Sequence, residues 1–390
     1  MNINKEVEKI SNFVVRLRKH FHKYPELSMK EYETSKTIKE QLANMEIPYV
    51  TEGETGVIGI IGRGDNVIAL RADMDAIKIQ EKNDVGYKSV NDGIMHACGH
   101  DAHMAALLGA ADILKRFEHE LNCTIKLIFQ PSEENCRGAK LICDGGHLDD
   151  VSAIFGLHVF GDITCGKISI EPGPRMAASD IFSIDITGRS GHAGKPHQCT
   201  DALLAASATV MNIQSIISRE FDPVDSAVVT VGHLTAGTQH NIIAGDAFIE
   251  GTARVFSSND ARHIEQSIKR IAHNTATTYG ATAHVDYKRS MHPVVMNDEI
   301  LTPVVAKAVE DIFPKGTLTS VPKMMLGEDF SVYQQRVPGV FAFVGAGNEE
   351  LGRAYPNHHE CFNIDEKAVV NATKLYVAFA MSMCERFNNE

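Results

Sequence analysis

The most constraining feature of the sequence is a nine-residue segment, residues 95 to 103 (MHACGHDAH), which holds one thiol, three imidazoles and a carboxylate. An apolar strand pattern, residues 67 to 75 (VIALRADMD), precedes it, and an alanine-rich helical pattern follows from residue 105 to residue 117. Open α/β sheets gather their chemistry at the carboxyl ends of their strands. The segment therefore predicts a metal site on a loop that leaves a strand and enters a helix.

Two later strand patterns also end in side chains that bind metals. Residues 123 to 130 are followed by a proline and the pair Glu133 and Glu134, and the apolar run from residue 153 ends on His158. Three strand ends would then deliver ligands to one place. Strands that alternate with helices in this way indicate an α/β fold with a mostly parallel central sheet.

The order of elements predicts that a second domain is inserted into the first. From residue 179 the patterns follow the order β-α-β-β-α-β, which is the ferredoxin-like arrangement, and helix and strand patterns of the α/β type resume after residue 291. A chain of 390 residues is also too long for one core of typical size. We expect a discontinuous catalytic domain, residues 1–178 and 292–390, and an inserted α+β domain, residues 179–291.

Composition excludes several classes of partner. The net charge is −12 and no cluster of Lys and Arg is present, which argues against nucleic acid or an anionic membrane. No apolar run approaches the length of about 18 residues that a membrane span needs, and the N-terminal residues are charged, unlike a signal peptide. We therefore expect a cytoplasmic protein. Of its eight cysteines, only Cys98 is expected to have a chemical role, and all are expected to be reduced.

Each candidate ligand has a plainer alternative. Cys98 and His100 form a thiol and imidazole pair suited to a divalent metal, although a buried thiol beside a hydrogen-bonded imidazole would give the same pattern. Glu133 and Glu134 could be a solvated turn, but at a metal site one carboxylate can bind the metal while its neighbour accepts a proton from water. His158 could be an ordinary core histidine.

Further candidates lie in polar segments. His358 and His359 occupy a loop too polar for the core, and Asp73 and Asp75 could orient ligand imidazoles. In the inserted domain, a glycine-rich turn, residues 190 to 197 (SGHAGKPH), displays two histidines and could be a plain loop or a substrate contact. Asn241 offers an amide, and Arg254 offers a guanidinium suited to a carboxylate.

Six ordered motifs together resemble the amidohydrolase branch of the aminoacylase/carboxypeptidase metallopeptidase family. They are RADMDA at residue 71, HACGHDAH at 96, FQPSEE at 129, GLH at 156, SGH at 190 and GEDF at 327. The resemblance implies hydrolysis of N-acyl amino acids by two divalent metals, such as zinc, manganese, cobalt or nickel. It also implies a homodimer formed through the inserted domain, which would act as a lid.

The resemblance assigns roles residue by residue. It implies that Glu133 is the general base and that His192 reaches the active site of the partner subunit, where it would stabilise the oxyanion. Asn241 and Arg254 fall where the family binds the substrate's carboxylate and reacting carbonyl. The implied metal ligands are Cys98, His100, Glu134, His158 and His358.

The chain departs from the family pattern at two places. His359-Glu360 follows the implied ligand His358 where the family usually has Ser-Pro or Asn-Pro, so His359 remains an alternative ligand. Ala244 stands where proline is common, which could alter the lid loop and hence specificity.

Two rival functions make different predictions. A thiol hydrolase with Cys98 as nucleophile would be inactivated by alkylation and would be indifferent to chelators. A non-catalytic dimeric binding protein could keep the fold, but it has no physical need for an uncoordinated carboxylate at Glu133. The sequence therefore favours a metal-dependent amidohydrolase, and it does not identify the acyl group or the amino acid.

Overall fold

In a computed structural model, which describes residues 1–389 except the side chains of residues 290, 291, 388 and 389, the chain forms two compact units. The first unit comprises Met1–Arg175, Met296–Pro322 and the chain from Asp329 onward. The second comprises Met176–Val295 and Lys323–Glu328. No helix in the described part of the chain combines the length and apolar character that crossing a membrane requires.

The elements alternate between strands and helices along most of the chain. The strands are β1 (Tyr49–Glu52), β2 (Gly56–Ile61), β3 (Asn66–Asp73), β4 (Cys123–Gln130), β5 (Val151–Thr164), β6 (Ile168–Ser169), β7 (Gly173–Met176), β8 (Ala178–Thr187), β9 (Gly191–His192), β10 (Ala227–Ala236), β11 (Ile242–Ile243), β12 (Asp246–Val255), β13 (Thr282–His292), β14 (Val295–Asn297) and β15 (Gly339–Gly347). The α-helices are α1 (Ile3–Lys23), α2 (Tyr32–Asn44), α3 (His100–Arg116), α4 (Gly138–Asp144), α5 (Ala202–Ile213), α6 (Ser215–Glu220), α7 (Ser258–Thr278), α8 (Leu301–Ile312), α9 (Phe330–Gln334) and α10 (Lys367–Asn389).

The first unit is built on a seven-stranded sheet in the order β1-β2-β4-β3-β5-β15-β6. The four central strands, β4, β3, β5 and β15, are parallel, and the outer pairings are antiparallel. Parallel strands need both faces covered, which explains why the central strands are almost wholly apolar and buried. The predicted mixed α/β fold with a mostly parallel central sheet is confirmed.

Helix α3 lies within the core of the first unit. Fourteen of its seventeen residues are buried, and it packs against α1, α10 and β3. Helix α1 is amphipathic, and the Asn2 side chain caps it by accepting a hydrogen bond from the Lys5 backbone N–H. Burial of α3 on every side holds its first turn, which carries ligand-type side chains, in a fixed position.

The second unit is a four-stranded antiparallel sheet in the order β10-β12-β8-β13. Helices α5 and α7 pack on it, and Phe182, Ile184 and Ile249 contribute to the core that they cover. Side chains alternate between the two faces of a strand. The odd-numbered residues of β8 and the even-numbered residues of β12 therefore lie on the face away from the helices.

Three local predictions are wrong. His158 lies in the middle of the fourteen-residue strand β5 rather than at a strand end. Helix α3 begins at His100, not at residue 105, after a segment from residue 74 to residue 99 that contains no helix and only isolated bridges. The single helix predicted for residues 200 to 219 is two helices, α5 and α6, separated at Gln214.

The expectation of reduced cysteines is also wrong for one pair. Cys123, at the start of β4, and Cys384, in α10, are joined by a disulfide across 261 residues of sequence. Both are buried, and the other six cysteines, Cys98 among them, are free thiols. Spacing could not reveal this pair, because the contact depends on how α10 packs on the sheet.

Candidate metal centre

Gly99 sets the directions of the two side chains beside it. Its φ is +97°, and a Cβ at this position would lie 2.4 Å from Val159 Cγ2. This left-handed conformation ends the preceding loop, so that Cys98 is the next-to-last residue before α3 and His100 is the first residue within it. The turn at Gly99 allows two side chains at i and i+2 to converge.

Cys98 lies between two histidines that are distant in sequence. Its Sγ is 3.3 Å from His158 Nε2 and 3.3 Å from His358 Nε2. His158 Nδ1 lies 2.9 Å from the carbonyl oxygen of Val159, which can only accept, so Nδ1 carries the proton and Nε2 presents a lone pair. The last pair of the ladder between β3 and β5 is Arg71–Gly156, so His158 lies two residues beyond the end of that ladder.

His358 and His359 occupy different environments. The backbone N–H of His358 donates a hydrogen bond to the carbonyl of Ala97, and its Nε2 lies 3.4 Å from Glu134 Oε1. His359 instead stacks on the Tyr355 ring at 4.4 Å and accepts a hydrogen bond at Nδ1 from the Cys361 backbone. Of the two alternatives that the sequence left open, the geometry favours His358.

The glutamate pair is held through its backbone. The N–H groups of Glu133 and Glu134 donate hydrogen bonds to the two oxygens of the Asp75 carboxylate, each at 3.1 Å. The carbonyl of Asp75 in turn lies 2.9 Å from His100 Nδ1. Asp75 therefore connects three of the candidate functional residues.

Two overlapping groups of side chains could each hold a metal ion. Their ligand atoms lie within 4.8 Å of one another, and Cys98 Sγ belongs to both. The first group is Cys98, His100 and His158, and the second is Cys98, Glu134 and His358. All five predicted ligands are thus brought together, in an arrangement that suits two ions sharing one sulfur.

The residues also fit a metal by their hydrogen bonding. His100 Nε2 and Glu134 Oε1 are buried and make no hydrogen bond among the described residues; Asp73 Oδ2 lies 3.6 Å from the former and His358 Nε2 lies 3.4 Å from the latter. Buried polar atoms are normally paired, because leaving them unpaired costs about 1–3 kcal/mol each. A set of thiolate, imidazole and carboxylate ligands suits zinc and neighbouring transition metals.

Without a cation, the surroundings of Cys98 and His100 favour their protonated forms. Burial, with the Glu134 and Glu133 carboxylates, raises the pKa of the Cys98 thiol well above its ordinary value. Burial opposes protonation of His100, but the Asp73 and Asp75 carboxylates raise the pKa of His100 to about 10. Ligands must lose their protons to bind a metal, so metal uptake at this site is coupled to proton release.

Behind the ligands, Asp73, which the sequence suggested as an orienting residue, pairs with His103, which sequence reasoning did not single out. The Val159 backbone donates to His103 Nε2 at 3.0 Å, so His103 Nδ1 carries a proton and donates it to Asp73 Oδ1 at 2.6 Å. Asp73 also pairs with Arg71. The spacing of His103, three residues after His100 on α3, was the available signal.

The other predicted site residues belong to the second unit. β9 and β11 form a short antiparallel ladder in which His192 lies opposite Ile242, next to Asn241. Both His192 and Asn241 are exposed, and the Gly194 backbone donates to His192 Nδ1 at 2.9 Å. Arg254 lies elsewhere, on β12.

The segment from residue 69 to residue 382 matches the profile of Peptidase family M20/M25/M40. The chain belongs to this family. The predicted resemblance is therefore confirmed, and the chain is a hydrolytic enzyme of the M20 type with a donor set that fits two divalent metals.

Three M20-type relatives illustrate the similarity. The chain is 38% identical over 374 residues to IAA-amino acid hydrolase ILR1-like 4 of Arabidopsis thaliana, covering 95% of this chain and 85% of that one. It is 39% identical over 363 residues to N-acetyl-L-cysteine deacetylase of Bacillus subtilis, covering 92% of this chain and 85% of that one. Among solved structures it resembles the YXEP protein of Bacillus subtilis, a dinuclear metal-binding peptidase of the M20 family. The TM-score is 0.86 and the sequence identity is 34%, and the match covers 97% of this chain and 99% of that one.

Proposed function

We propose that this protein is a dinuclear metal-dependent amidohydrolase that cleaves N-acyl amino acids into a carboxylic acid and a free amino acid. One observation carries the proposal: Cys98, His100, His158, Glu134 and His358 converge, although they span 260 positions, and Glu133 lies beside them. Relatives named for deacetylation of N-acetylcysteine and for hydrolysis of IAA-amino acid conjugates support this substrate class.

The metal ligands that we propose are the five converging residues, with Cys98 shared between the ions. When bound there, two divalent cations would supply Lewis acidity, which polarises an amide carbonyl and lowers the pKa of water. Zinc, manganese, cobalt and nickel all suit these ligands.

Glu133 is the proposed general base. It is buried, and the Asp329 backbone N–H lies 3.4 Å from its Oε1. Its neighbour Glu134 belongs to the second ligand group. In this proposal the two adjacent carboxylates divide the work, with Glu134 binding metal and Glu133 transferring the proton. Glu133 would take a proton from the attacking water and deliver it to the departing amine nitrogen.

The decisive experiment separates proton transfer from metal binding. We expect Glu133→Gln to keep two metals per chain and to lower kcat by several orders of magnitude, whereas Glu134→Gln should lose metal. Chelation should abolish activity, and added zinc, manganese, cobalt or nickel should restore it. Near-normal turnover by fully metallated Glu133→Gln would remove Glu133 from this role, and indifference to chelators would favour the thiol-hydrolase alternative.

The second unit is proposed to be a ferredoxin-like lid and dimerisation domain; the sequence predicts this domain over residues 179–291, between the catalytic segments 1–178 and 292–390. Its sheet has the β-α-β-β-α-β order, with β10 at one edge. Leu203, Leu204 and Met211 of α5 are exposed apolar side chains. An open sheet edge and an exposed apolar helix surface are features that a second copy of the chain could cover.

His192 of the partner subunit is the proposed oxyanion donor. Because Gly194 donates to Nδ1, the neutral ring carries its proton on Nε2, which is free to donate to a developing negative charge. Mixed dimers test this arrangement. If His192 acts across the dimer, mixing inactive His192→Ala with inactive Glu133→Gln should restore activity, because each hybrid contains one complete site; no recovery in a verified hybrid would rule it out.

A further inference from the structure

Two buried carboxylates accept three consecutive backbone N–H groups of the loop after β4. Glu133 and Glu134 donate to Asp75, and the residue before them, Ser132, donates to Glu31 Oε1 at 2.9 Å. Glu31 lies 101 residues earlier in the chain than Ser132, and it is fully buried. The segment that carries the proposed general base is therefore fixed at three successive amides.

Ser132 has a backbone conformation that needs support. Its φ is +56°, in the left-handed region that residues other than glycine rarely occupy. Its own hydroxyl is buried and makes no hydrogen bond among the described residues, so the side chain does not stabilise this turn. The N–H bond to Glu31 holds the turn instead, and the turn sets the direction in which the chain continues to Glu133.

The plainer role for Glu31 would be to cap α2, but that role belongs to another residue. Glu31 occupies the N-cap position, and its side chain makes no capping hydrogen bond. Glu26 instead accepts from the backbone N–H groups of Glu33 and Thr34, at 3.2 Å and 2.8 Å. The Glu31 carboxylate therefore serves contacts outside its own helix.

Glu31 is itself held at both of its oxygens. Oε1 also accepts from the Met29 backbone N–H, and Oε2 accepts from the Thr55 hydroxyl, each at 2.9 Å. Burial and the Asp75 charge raise the pKa of Glu31, and these hydrogen bonds oppose that rise. Two neighbouring buried carboxylates are costly unless hydrogen-bond donors surround both. The three loop amides are among those donors, so the loop and the two carboxylates hold one another in place.

We propose that Glu31 is a positioning residue for Glu133. By accepting the Ser132 N–H, Glu31 keeps Ser132 in its left-handed conformation and so fixes the direction in which the Glu133 carboxylate leaves the loop. Asp75 anchors the two glutamates, and Glu31 anchors the residue that precedes them. This inference rests on the proposed function, because it concerns the side chain that would accept the proton from water.

The first test separates the acceptor atom of Glu31 from its charge. Glu31→Gln keeps a carbonyl oxygen that can accept at the position of Oε1, whereas Glu31→Met has a similar length and no comparable acceptor. With metal-loaded protein and N-acetyl-L-methionine, we expect Glu31→Met to lower kcat about 10- to 100-fold, because a small displacement of a catalytic group slows the reaction strongly. KM and the metal content should not change, and Glu31→Gln should keep most of the turnover.

A matched control lies two residues further along the chain. Glu33→Met, at an exposed position of α2, should have the wild-type kcat. A purely structural role for Glu31 predicts lower stability of Glu31→Met with an unchanged kcat, and that result would overturn the proposal. Equal losses of kcat in Glu31→Gln and Glu31→Met would also overturn it, because the charge and not the hydrogen bond would then be responsible.

A double-mutant cycle tests whether Glu31 acts through Glu133. Substitutions of residues that act as a unit are not additive. In the Glu133→Gln background the base is absent, so we expect Glu31→Met to lower the residual kcat by less than about threefold. A full loss in that background would show that Glu31 acts by another route.

Amide hydrogen exchange separates this proposal from the proposed function, because it needs no substrate. In metal-loaded protein, peptides that span Ser132 and the two glutamates should exchange about 10- to 100-fold faster in Glu31→Met than in the wild type, and Glu31→Gln should stay protected. Unchanged exchange contradicts the role of Glu31 even if Glu133 proves to be the general base. Faster exchange supports the anchoring even if the wild type hydrolyses no N-acyl amino acid.

A milder variant keeps the proposal testable if Glu31→Met does not fold. Thr55→Val preserves the shape of the side chain and removes the donor to Glu31 Oε2. It should speed the same amide exchange and lower kcat about fivefold. Wild-type exchange and turnover in Thr55→Val would overturn the proposal.

Discussion

The backbone N–H of Glu133 donates a 3.1 Å hydrogen bond to Asp75 Oδ1, so the proposed general base is positioned by a carboxylate 58 residues earlier in the chain. Asp75 also accepts from the Glu134 backbone and from the Ser28 hydroxyl. Its carboxylate is buried, and burial favours protonation, but hydrogen bonds and charge from His100 and the Ser28 hydroxyl lower the pKa of Asp75. The glutamate pair is therefore arranged around a carboxylate that stays ionised.

Replacing Asp75 should loosen the whole site. In Asp75→Asn one acceptor oxygen becomes an NH₂ group, which faces a backbone N–H and cannot accept its hydrogen bond. We expect metal affinity to fall about 10- to 100-fold, as is typical when residues behind metal ligands are altered. Competition with a chromophoric chelator measures the metal affinity. Asp84→Asn, at an exposed position in the same long segment, is the control, and equal affinities in the two variants would contradict the role given to Asp75.

Gly99→Ala should disrupt the turn that aims Cys98 and His100. An alanine at φ +97° is strained, and its Cβ would lie 2.4 Å from Val159 Cγ2. We expect a loss of about 1–3 kcal/mol in the free energy of unfolding, measured by urea titration, together with reduced metal content. Gly86→Ala, where no atom lies within 4 Å, should be close to neutral. If Gly99→Ala has the same unfolding free energy and metal content as Gly86→Ala, the turn at Gly99 does not constrain the site.

His358 and His359 provide a direct test of the ligand choice. His358→Ala should lower metal occupancy, because its Nε2 lies 3.3 Å from Cys98 Sγ, whereas His359→Ala should retain both metals and lose only its stacking on Tyr355. Elemental analysis of the two purified proteins after dialysis measures this. The opposite pattern would make His359 the ligand.

His22 should give the protein a stability that declines on the alkaline side. Its ring is buried between two carboxylates: Nδ1 lies 2.8 Å from Asp101 Oδ2, and Nε2 lies 3.1 Å from Glu81 Oε1. Burial and the Arg18 charge lower the pKa of His22, but hydrogen bonds to the two carboxylates outweigh them and the net shift is upward. The folded protein thus holds this proton more tightly than the unfolded chain.

The direction of the pH dependence of stability follows from this difference between the folded and unfolded pKa of His22. The stabilisation is complete below the unfolded pKa of about 6.5 and is lost as the pH rises through the higher folded pKa. His22→Gln should therefore flatten the fall in unfolding free energy above pH 6.5, measured in urea with chelator present. His20→Gln, at an exposed position on the same helix, should keep the wild-type slope. If unfolding free energy falls with pH at the same slope in the wild type, His22→Gln and His20→Gln, His22 is not the source of this pH dependence.

The sequence by itself determined what depends on local order. Strand and helix periodicities give the parallel sheet and the β-α-β-β-α-β segment, because side-chain alternation is set by backbone geometry within a few residues. Clustering of ligand types at residues 95 to 103 and at Glu133-Glu134 indicated a metal site, because few other sites concentrate such residues. The six ordered motifs indicated the family.

Tertiary structure alone decided what depends on distant contacts. His158 lies in mid-strand, and only the folded chain brings its Nε2 to 3.3 Å from Cys98 Sγ, 60 residues away. His358 rather than His359 faces the thiol because its backbone is fixed to Ala97, 261 residues earlier. Arg254 and His292 both lie opposite Ser179 because β8 lies between their strands. Such contacts join residues far apart in the chain, and no local pattern specifies which of them meet.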